Sequence, residues 1–393
     1  MDTRQYIAEH LQEDVHDLAL RNTDARVDKA LALRQIEARQ LLRDKVPSWS
    51  DNDELLFPVR LSIEQCSSES TARYKASLMH GGSFADLTGG LGIDCYFLSQ
   101  GFSVANYVEQ NEELCALARH NFEVLGHGET VCPISVHHES AECFLQHNEE
   151  VDAVFVDPAR RDGQGRKVVS IADCSPNLLE IQDLMLQKAS RALVKLSPML
   201  DIHQALRQLH HVKEVHVVAV ENECKELLFL MERDYAEAPM FVAVNLGTNQ
   251  PEVRWTQGLP QEVQGFSPAV GAYLYEPNAA LMKAGCFHVL AEQYGVSQLH
   301  RNSHLYTADQ MVLDFPGRIF VVEGWAPYNK RIKQTLLADV EKASIAARNF
   351  PLSVAELRKV LKIADGDKVY LFATTVGENR KVIIRTTKVQ PHL

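Results

Sequence analysis

The segment Asp86-Leu87-Thr88-Gly89-Gly90-Leu91-Gly92 sets a carboxylate directly before a glycine-rich turn, and Glu109 closes the apolar run that follows. Glycines at such a turn let backbone N–H groups approach a ligand closely, because no Cβ intervenes. An acid about 20 residues beyond the turn suits the hydroxyls of a ribose. The chemistry is that of a nucleoside-bearing cofactor at the carboxyl ends of a parallel sheet. A dinucleotide loop would carry a third small residue where this chain has Cys95, and Asp86 would repel a pyrophosphate. Both points argue against a nicotinamide-dependent oxidoreductase. A carboxylate at position 86 suits a ligand amino group instead. Further along, Asp157-Pro158-Ala159-Arg160-Arg161 ends another apolar run. Arginines there could stack on a base or grip a phosphate.

These residues need a scaffold, and the pattern supplies one. Strands are expected at Ser83–Leu87, Val104–Glu109, Val131–Val136, Ala153–Asp157, Arg191–Leu196, Val215–Val220 and Leu227–Met231, with helices between the first six. The helix from Glu112 to Leu125 has Asn111 as its cap, two glutamates in its first turn and Gly126 at its end. The last two strands are joined by Glu221–Lys225, too short for a crossover helix, so they must be antiparallel. Six parallel strands and one final antiparallel strand make a doubly wound α/β sheet. Residues 1–75 form an N-terminal helical module, broken at Pro47. It ends in a helix that Ser67 or Ser68 caps and that carries Thr71, Tyr74 and Lys75. After the sheet domain (76–238) come an α+β domain at 239–325, with one helix over Asn278–Tyr294, and a terminal domain at 326–393. In the last, Ser353 and Glu356 form a capping box.

The composition is that of a globular protein, with no apolar stretch long enough to span a membrane. Eight scattered cysteines without zinc spacing read as reduced thiols, and the expected location is cytoplasmic, with no metal. The net charge of −12 is unevenly spread. From Ala326 onward there are 13 Lys and Arg against 6 Asp and Glu, a balance of +7, whereas the remainder carries 27 against 46. A polyanion would therefore be held by the terminal domain, with Arg358, Lys359 and Lys362 as the expected contacts.

Asp86-x-Thr88-Gly89-Gly90-x-Gly92 resembles motif I of the class I S-adenosylmethionine (SAM) dependent methyltransferases. With Ser67-Ser68-Glu69-x-Thr71-Ala72-x-Tyr74-Lys75, Asp157-Pro158-Ala159-Arg160, Tyr275-Glu276-Pro277-Asn278 and Asn349-Phe350-Pro351-Leu352-Ser353, the resemblance covers nearly the whole chain. It is to the bacterial class I methyltransferases that end in a ferredoxin-like domain and a THUMP-like domain. The resemblance implies a Rossmann-like fold and SAM as cofactor. It implies cofactor contacts from Asp86, Thr88, Gly89, Gly90, Gly92, Glu109, Glu139 and Asp157, with Glu139 reaching the adenine amino group. In methyltransferases acting on exocyclic amines the matching motif is Asp/Asn-Pro-Pro followed by an aromatic. There the acid and the proline-fixed carbonyl accept protons from the amine, and the aromatic stacks on the base. Asp157 and Pro158 match, whereas Ala159 and Arg160 depart from the pattern. The catalytic residues so implied are Asp157, Pro158 and Arg160, with Arg161 contacting substrate. RNA uracil-C5 methyltransferases also need a cysteine after the next strand, where this chain has Lys195-Leu196-Ser197-Pro198-Met199, and Cys174 and Cys224 lie elsewhere. THUMP domains hold RNA, commonly tRNA. The expected function is methylation of a base in tRNA or rRNA. The alternatives are a SAM-dependent methyltransferase of a protein or small molecule, and an RNA-binding protein that retains SAM without turnover.

Overall fold

The computed structural model describes residues 2–21, 24–126, 132–160, 171–256 and 265–389. The chain divides into two compact units: Met1–Val215 with Glu226–Glu237, and His216–Lys225 with Ala238–Leu393.

The first unit is built on seven strands: β1 (Gly81–Asp86), β2 (Phe102–Glu109), β3 (Ile134–His138), β4 (Val151–Val156), β5 (Ala189–Leu196), β6 (Val212–Val220, to which this unit contributes the first part) and β7 (Glu223–Glu232, of which it holds the later part). Their order is β3-β2-β1-β4-β5-β7-β6. The pairs β1–β2, β1–β4, β2–β3 and β4–β5 are parallel, and β7 lies antiparallel to β5. Helices cover both faces of such a sheet, so its central strands read as unbroken apolar runs. Ala153, Val154, Phe155 and Val156 of β4 are all buried. The expected strand boundaries move by up to four residues. The third strand begins at Ile134, not Val131, which lies outside the described residues, and His138 belongs to the strand itself.

The connecting helices form for local reasons. Asn111 accepts the Leu114 N–H to start Glu112–Leu125, and that helix buries Cys115, Ala118, Asn121 and Phe122. Ser68 accepts the Thr71 N–H to start Glu69–Leu78. The N-terminal module holds helices Thr3–His10, Val15–Leu20 and Lys29–Leu42, whose residues Tyr6, Leu18, Ala32 and Ile36 make a small core with Val27. Leu20 is exposed. Pro47, expected to break the helical run, instead starts the short helix Pro47–Ser50 at a position where a missing N–H costs nothing. The buried Arg39 guanidinium donates to the carbonyls of Ser50, Asn52, Asp53 and Leu55, which ties down the chain after that helix.

The second unit contains the rest of β6, the antiparallel strands Met240–Leu246 and Val253–Thr256, and a seven-stranded sheet. In strand order that sheet runs Ser297–Gln298, Tyr306–Ala308, Tyr273–Pro277, Gly317–Pro327, Arg380–Lys388, Tyr370–Val376 and Ser344–Arg348. The expected boundary at 325/326 falls inside Gly317–Pro327, which pairs along its length with Arg380–Lys388. The single helix expected over Asn278–Tyr294 is two, Ala279–Ala284 and Phe287–Tyr294, because Gly285 takes φ +71° and ends the first. The capping box of Ser353 and Glu356 forms as expected and starts Val354–Leu361.

Candidate active site

The glycine turn follows β1 and is fixed by backbone bonds to its neighbours. The Leu87 N–H donates to the Phe155 carbonyl and the Gly89 N–H to the Val108 carbonyl, each at 2.9 Å. Gly90 and Gly92 take positive φ, +54° and +88°. Gly89 is required for space: a Cβ there would lie 2.2 Å from the Tyr107 ring. The Tyr107 hydroxyl donates to the Gly90 carbonyl at 2.6 Å, so the second strand braces the turn from below its own aromatic ring.

The two acids of the loop have different environments. Glu109 Oε2 accepts the Gly90 N–H at 2.9 Å and Oε1 accepts the Asn111 N–H at 2.8 Å, which fixes this carboxylate at the end of β2. Asp86 is 1 % exposed. Its Oδ1 accepts the Thr88 N–H at 3.0 Å, while Oδ2 has no hydrogen-bond partner among the described residues. Burial pushes the Asp86 carboxyl well above the usual carboxylate range, against the pull of the Thr88 N–H, and the charges of Asp94, Asp157 and Glu109 add to the rise. A buried acceptor left open in this way favours a ligand that brings a donor or a positive charge.

Asp157 joins the same loop. Its backbone N–H donates to Thr88 Oγ1 at 2.7 Å, and its Oδ2 accepts from Lys195 Nζ at 2.5 Å. Thr88 thus bonds both Asp86 and Asp157, and Gly90 bonds Glu109, which gathers these acids around the glycine turn at the carboxyl ends of β1, β2 and β4. Glu139 lies just past β3, with Oε1 3.7 Å from His137 Nδ1. Pro158 is buried and leads into the short pairing of Ala159–Arg160 with Cys174–Ser175. Arg161 lies outside the described residues. The other three expected contacts are in the second unit. Arg358 is spent on Asp365 and the Ala343 carbonyl, whereas Lys359 and Lys362 are exposed. Among the described residues no group of three or more His, Cys, Asp or Glu could hold a metal ion, and no helix is long and apolar enough to cross a membrane.

Sequence reasoning missed the partners of Asp157. Lys195, at the end of β5, also contacts Ser67 Oγ at 3.1 Å and lies 3.8 Å from Asp94 Oδ2. Lys75, fully buried, places Nζ 2.9 Å from both oxygens of Glu226 and 3.2 Å from Asp94 Oδ1. Burial works against a charge on Lys195, but Asp157, Asp94 and Glu226 together outweigh it and hold the ammonium protonated above the usual lysine range. The available signal was a lysine within the apolar run Ala192-Leu193-Val194-Lys195-Leu196, and a glutamate opening Leu227-Leu228-Phe229-Leu230. An ionisable group in such a strand must find a partner.

Comparison with known proteins agrees with this architecture. A family model of a ferredoxin-like domain matches residues 273–316, and one described as THUMP domain-like matches 317–388. A solved structure of a candidate methyltransferase from Porphyromonas gingivalis W83 is 35% identical, with 99% of this chain and 98% of that chain covered and a TM-score of 0.89. TrmK of M. capricolum, solved with S-adenosyl-homocysteine, is 16% identical over 42% of this chain and 70% of that chain, with a TM-score of 0.33. The tRNA (uracil-54, C5)-methyltransferase of Pyrococcus abyssi is 17% identical over 46% and 40%, with a TM-score of 0.28. No curated protein matches. On the identity and near-complete overlap with the Porphyromonas gingivalis protein, and on its two terminal domains, the chain belongs to the bacterial class I SAM-dependent methyltransferases that end in a ferredoxin-like and a THUMP-like domain.

Proposed function

We propose that this methyltransferase modifies a base of tRNA or rRNA. The observation that carries the cofactor assignment is the open Oδ2 of the buried Asp86 directly before the glycine turn. In this reading Asp86 receives the amino group of the methionine moiety, Glu109 the ribose hydroxyls and Glu139 the adenine amino group. The N–H groups around Gly89–Gly92 border the same space. SAM supplies an electrophilic methyl group on a sulfonium. Asp157 accepts a hydrogen bond from the target atom, so that the target's lone pair faces the methyl group, and Pro158 holds the loop's carbonyl in place. Arg160 and Arg161 orient the substrate. The choice of RNA rests on the THUMP-like match and on the basic end of the chain. Label from methyl-labelled SAM should enter the RNA fraction of a strain lacking the protein when purified protein is added. Label found only in protein or small molecules would overturn this choice.

A test of Asp86 has two readouts of opposite sign. Its carboxyl is raised in the folded state, so the folded protein holds a proton that the unfolded chain releases above pH ~4. That proton makes the folded state lose stability as pH climbs past the unfolded value, until the folded carboxyl itself ionises. Asp86→Asn removes the titration. Without SAM, the variant should gain melting temperature over the wild type, and the gain should be larger at pH 8 than at pH 5. Its SAM affinity, read by calorimetry, should fall about tenfold or more, the scale of a lost charged hydrogen bond. Unchanged SAM affinity would remove Asp86 from the cofactor site.

The expected RNA contacts narrow to Lys359 and Lys362, since Arg358 is already paired with Asp365. Deleting the chain from Ala326 is no test, because it removes the strand that pairs with Gly317–Pro327. Charge reversal of Lys359 and Lys362 together should weaken RNA binding and flatten the log–log salt dependence by roughly 1 to 2, the share of two phosphate contacts. An unchanged slope in a filter-binding salt series would place the anchor elsewhere.

A further inference from the structure

Five charged side chains from five separate segments form one cluster, three of them on the hydroxyl of Ser67 and Asp157 and Glu226 held through its lysines. Ser67 Oγ donates to Asp94 Oδ2 at 2.6 Å and accepts from Lys195 Nζ at 3.1 Å and Lys75 Nζ at 3.3 Å. One donor and two acceptor sites are thereby used, the full capacity of a hydroxyl. Exposure rises along the chain of contacts: the Lys75 side chain is 0% exposed, Lys195 13% and Asp157 36%. The cluster thus begins in a fully buried pair, Lys75 with Glu226, and ends in one carboxylate that solvent and a substrate can reach.

We propose that Lys195 is a positioning residue for methyl transfer: held by Ser67 and Asp94, its ammonium fixes the Asp157 carboxylate in the orientation that receives the target. This rests on the role given to Asp157 above. Two features separate it from simple ballast. Lys75 and Glu226 already satisfy one another, so the buried part of the cluster does not need the outer contact between Lys195 and Asp157. Asp157 is also gripped through its N–H on Thr88 Oγ1, so its backbone is pinned by the turn after β1 and its side chain by β5. A side chain held at both ends loses little freedom when substrate arrives, which is where orientation lowers a barrier. Oδ2 is the oxygen so engaged, and in this proposal Oδ1 receives the target. Lys195 itself does not take the target's proton, because the surrounding carboxylates keep it protonated.

The test compares full-length wild type with Lys195→Met, Lys195→Gln and Lys195→Arg. In crystals of Lys195→Met, Asp157 should leave the rotamer it holds beside Lys195. In assays with labelled SAM, kcat on the wild-type acceptor should fall about tenfold, with KM for acceptor and Kd for SAM within about twofold. Lys195→Arg should recover most of the rate, since it keeps the charge. An unmoved Asp157 in the crystal, or an unchanged kcat, overturns the proposal. If Lys195→Met does not fold, Lys195→Gln, uncharged and of similar reach, is judged by the same two readouts. A wild type that labels no RNA overturns the RNA reading alone. The crystallographic comparison then still decides the role of Lys195.

Discussion

Asp157→Ala should lower turnover by about 10²-fold or more, the scale of losing one contact aimed at the transition state, while SAM affinity stays within about threefold. The asymmetry follows from geometry. The tie between Asp157 and the glycine loop runs through its backbone N–H to Thr88 Oγ1, which alanine keeps. The carboxylate is what alanine removes, and with it the acceptor for the target. Alanine also leaves Lys195 without its nearest anion, although Ser67 and Asp94 still face the ammonium. Asp157→Asn separates these effects. Its side-chain oxygen would take the Lys195 contact and turn the amide NH₂ toward the substrate, where a donor cannot accept a hydrogen bond. Turnover in both variants should therefore fall with the fold retained, read as kcat in a labelled-SAM assay beside a melting curve. An Asp157→Asn enzyme that turns over like wild type would remove the carboxylate from the mechanism.

What was legible in the sequence was whatever the chain writes contiguously. The glycine turn, its preceding acid and the acid after the next strand stand within 24 positions, because a strand–turn–helix–strand unit brings them together without help from the rest of the fold. The antiparallel β7 was legible for the same reason, since a short loop leaves no room for a crossover. The cluster around Ser67 was not legible. Lys75 and Glu226 are 151 positions apart, and Lys195 and Asp157 are 38 apart. Only the pairing of β5 with β4 on one side, parallel, and with β7 on the other, antiparallel, sets them side by side. Lys75 looked like a polar residue on a well-capped connecting helix, yet it has no exposed surface. The helix opened by Ser353 and Glu356 was legible as an element. Arg358 counts as one positive charge in the sequence, and Asp365 just past the helix cancels it locally. Charge balance over a segment says nothing about which charges are already paired.

The buried pair itself predicts the largest change in stability. Lys75→Met should destabilise the first unit by about 3–5 kcal/mol, the usual cost of stranding one member of a buried ion pair. Glu226, with a side chain 4% exposed, would lose both of its 2.9 Å contacts and keep its charge or bind a proton, and either is costly. Asp94 would lose one of its two ammoniums, retaining Lys195 at 3.8 Å. The double variant Lys75→Met/Glu226→Leu should be more stable than Lys75→Met, because no uncompensated charge remains and apolar side chains of similar size can fill the space. The sign of the difference between the double variant and the wild type tells whether the intact pair adds stability outright. Urea unfolding followed through Trp49, which is fully buried in the first unit, reads it directly, provided the slope with denaturant is the same in all variants. A Lys75→Met protein with the wild-type midpoint would mean that Glu226 finds other donors, and the cluster would then be looser than its distances imply. A double variant less stable than the wild type would mean that the ion pair is worth more than the packing that replaces it.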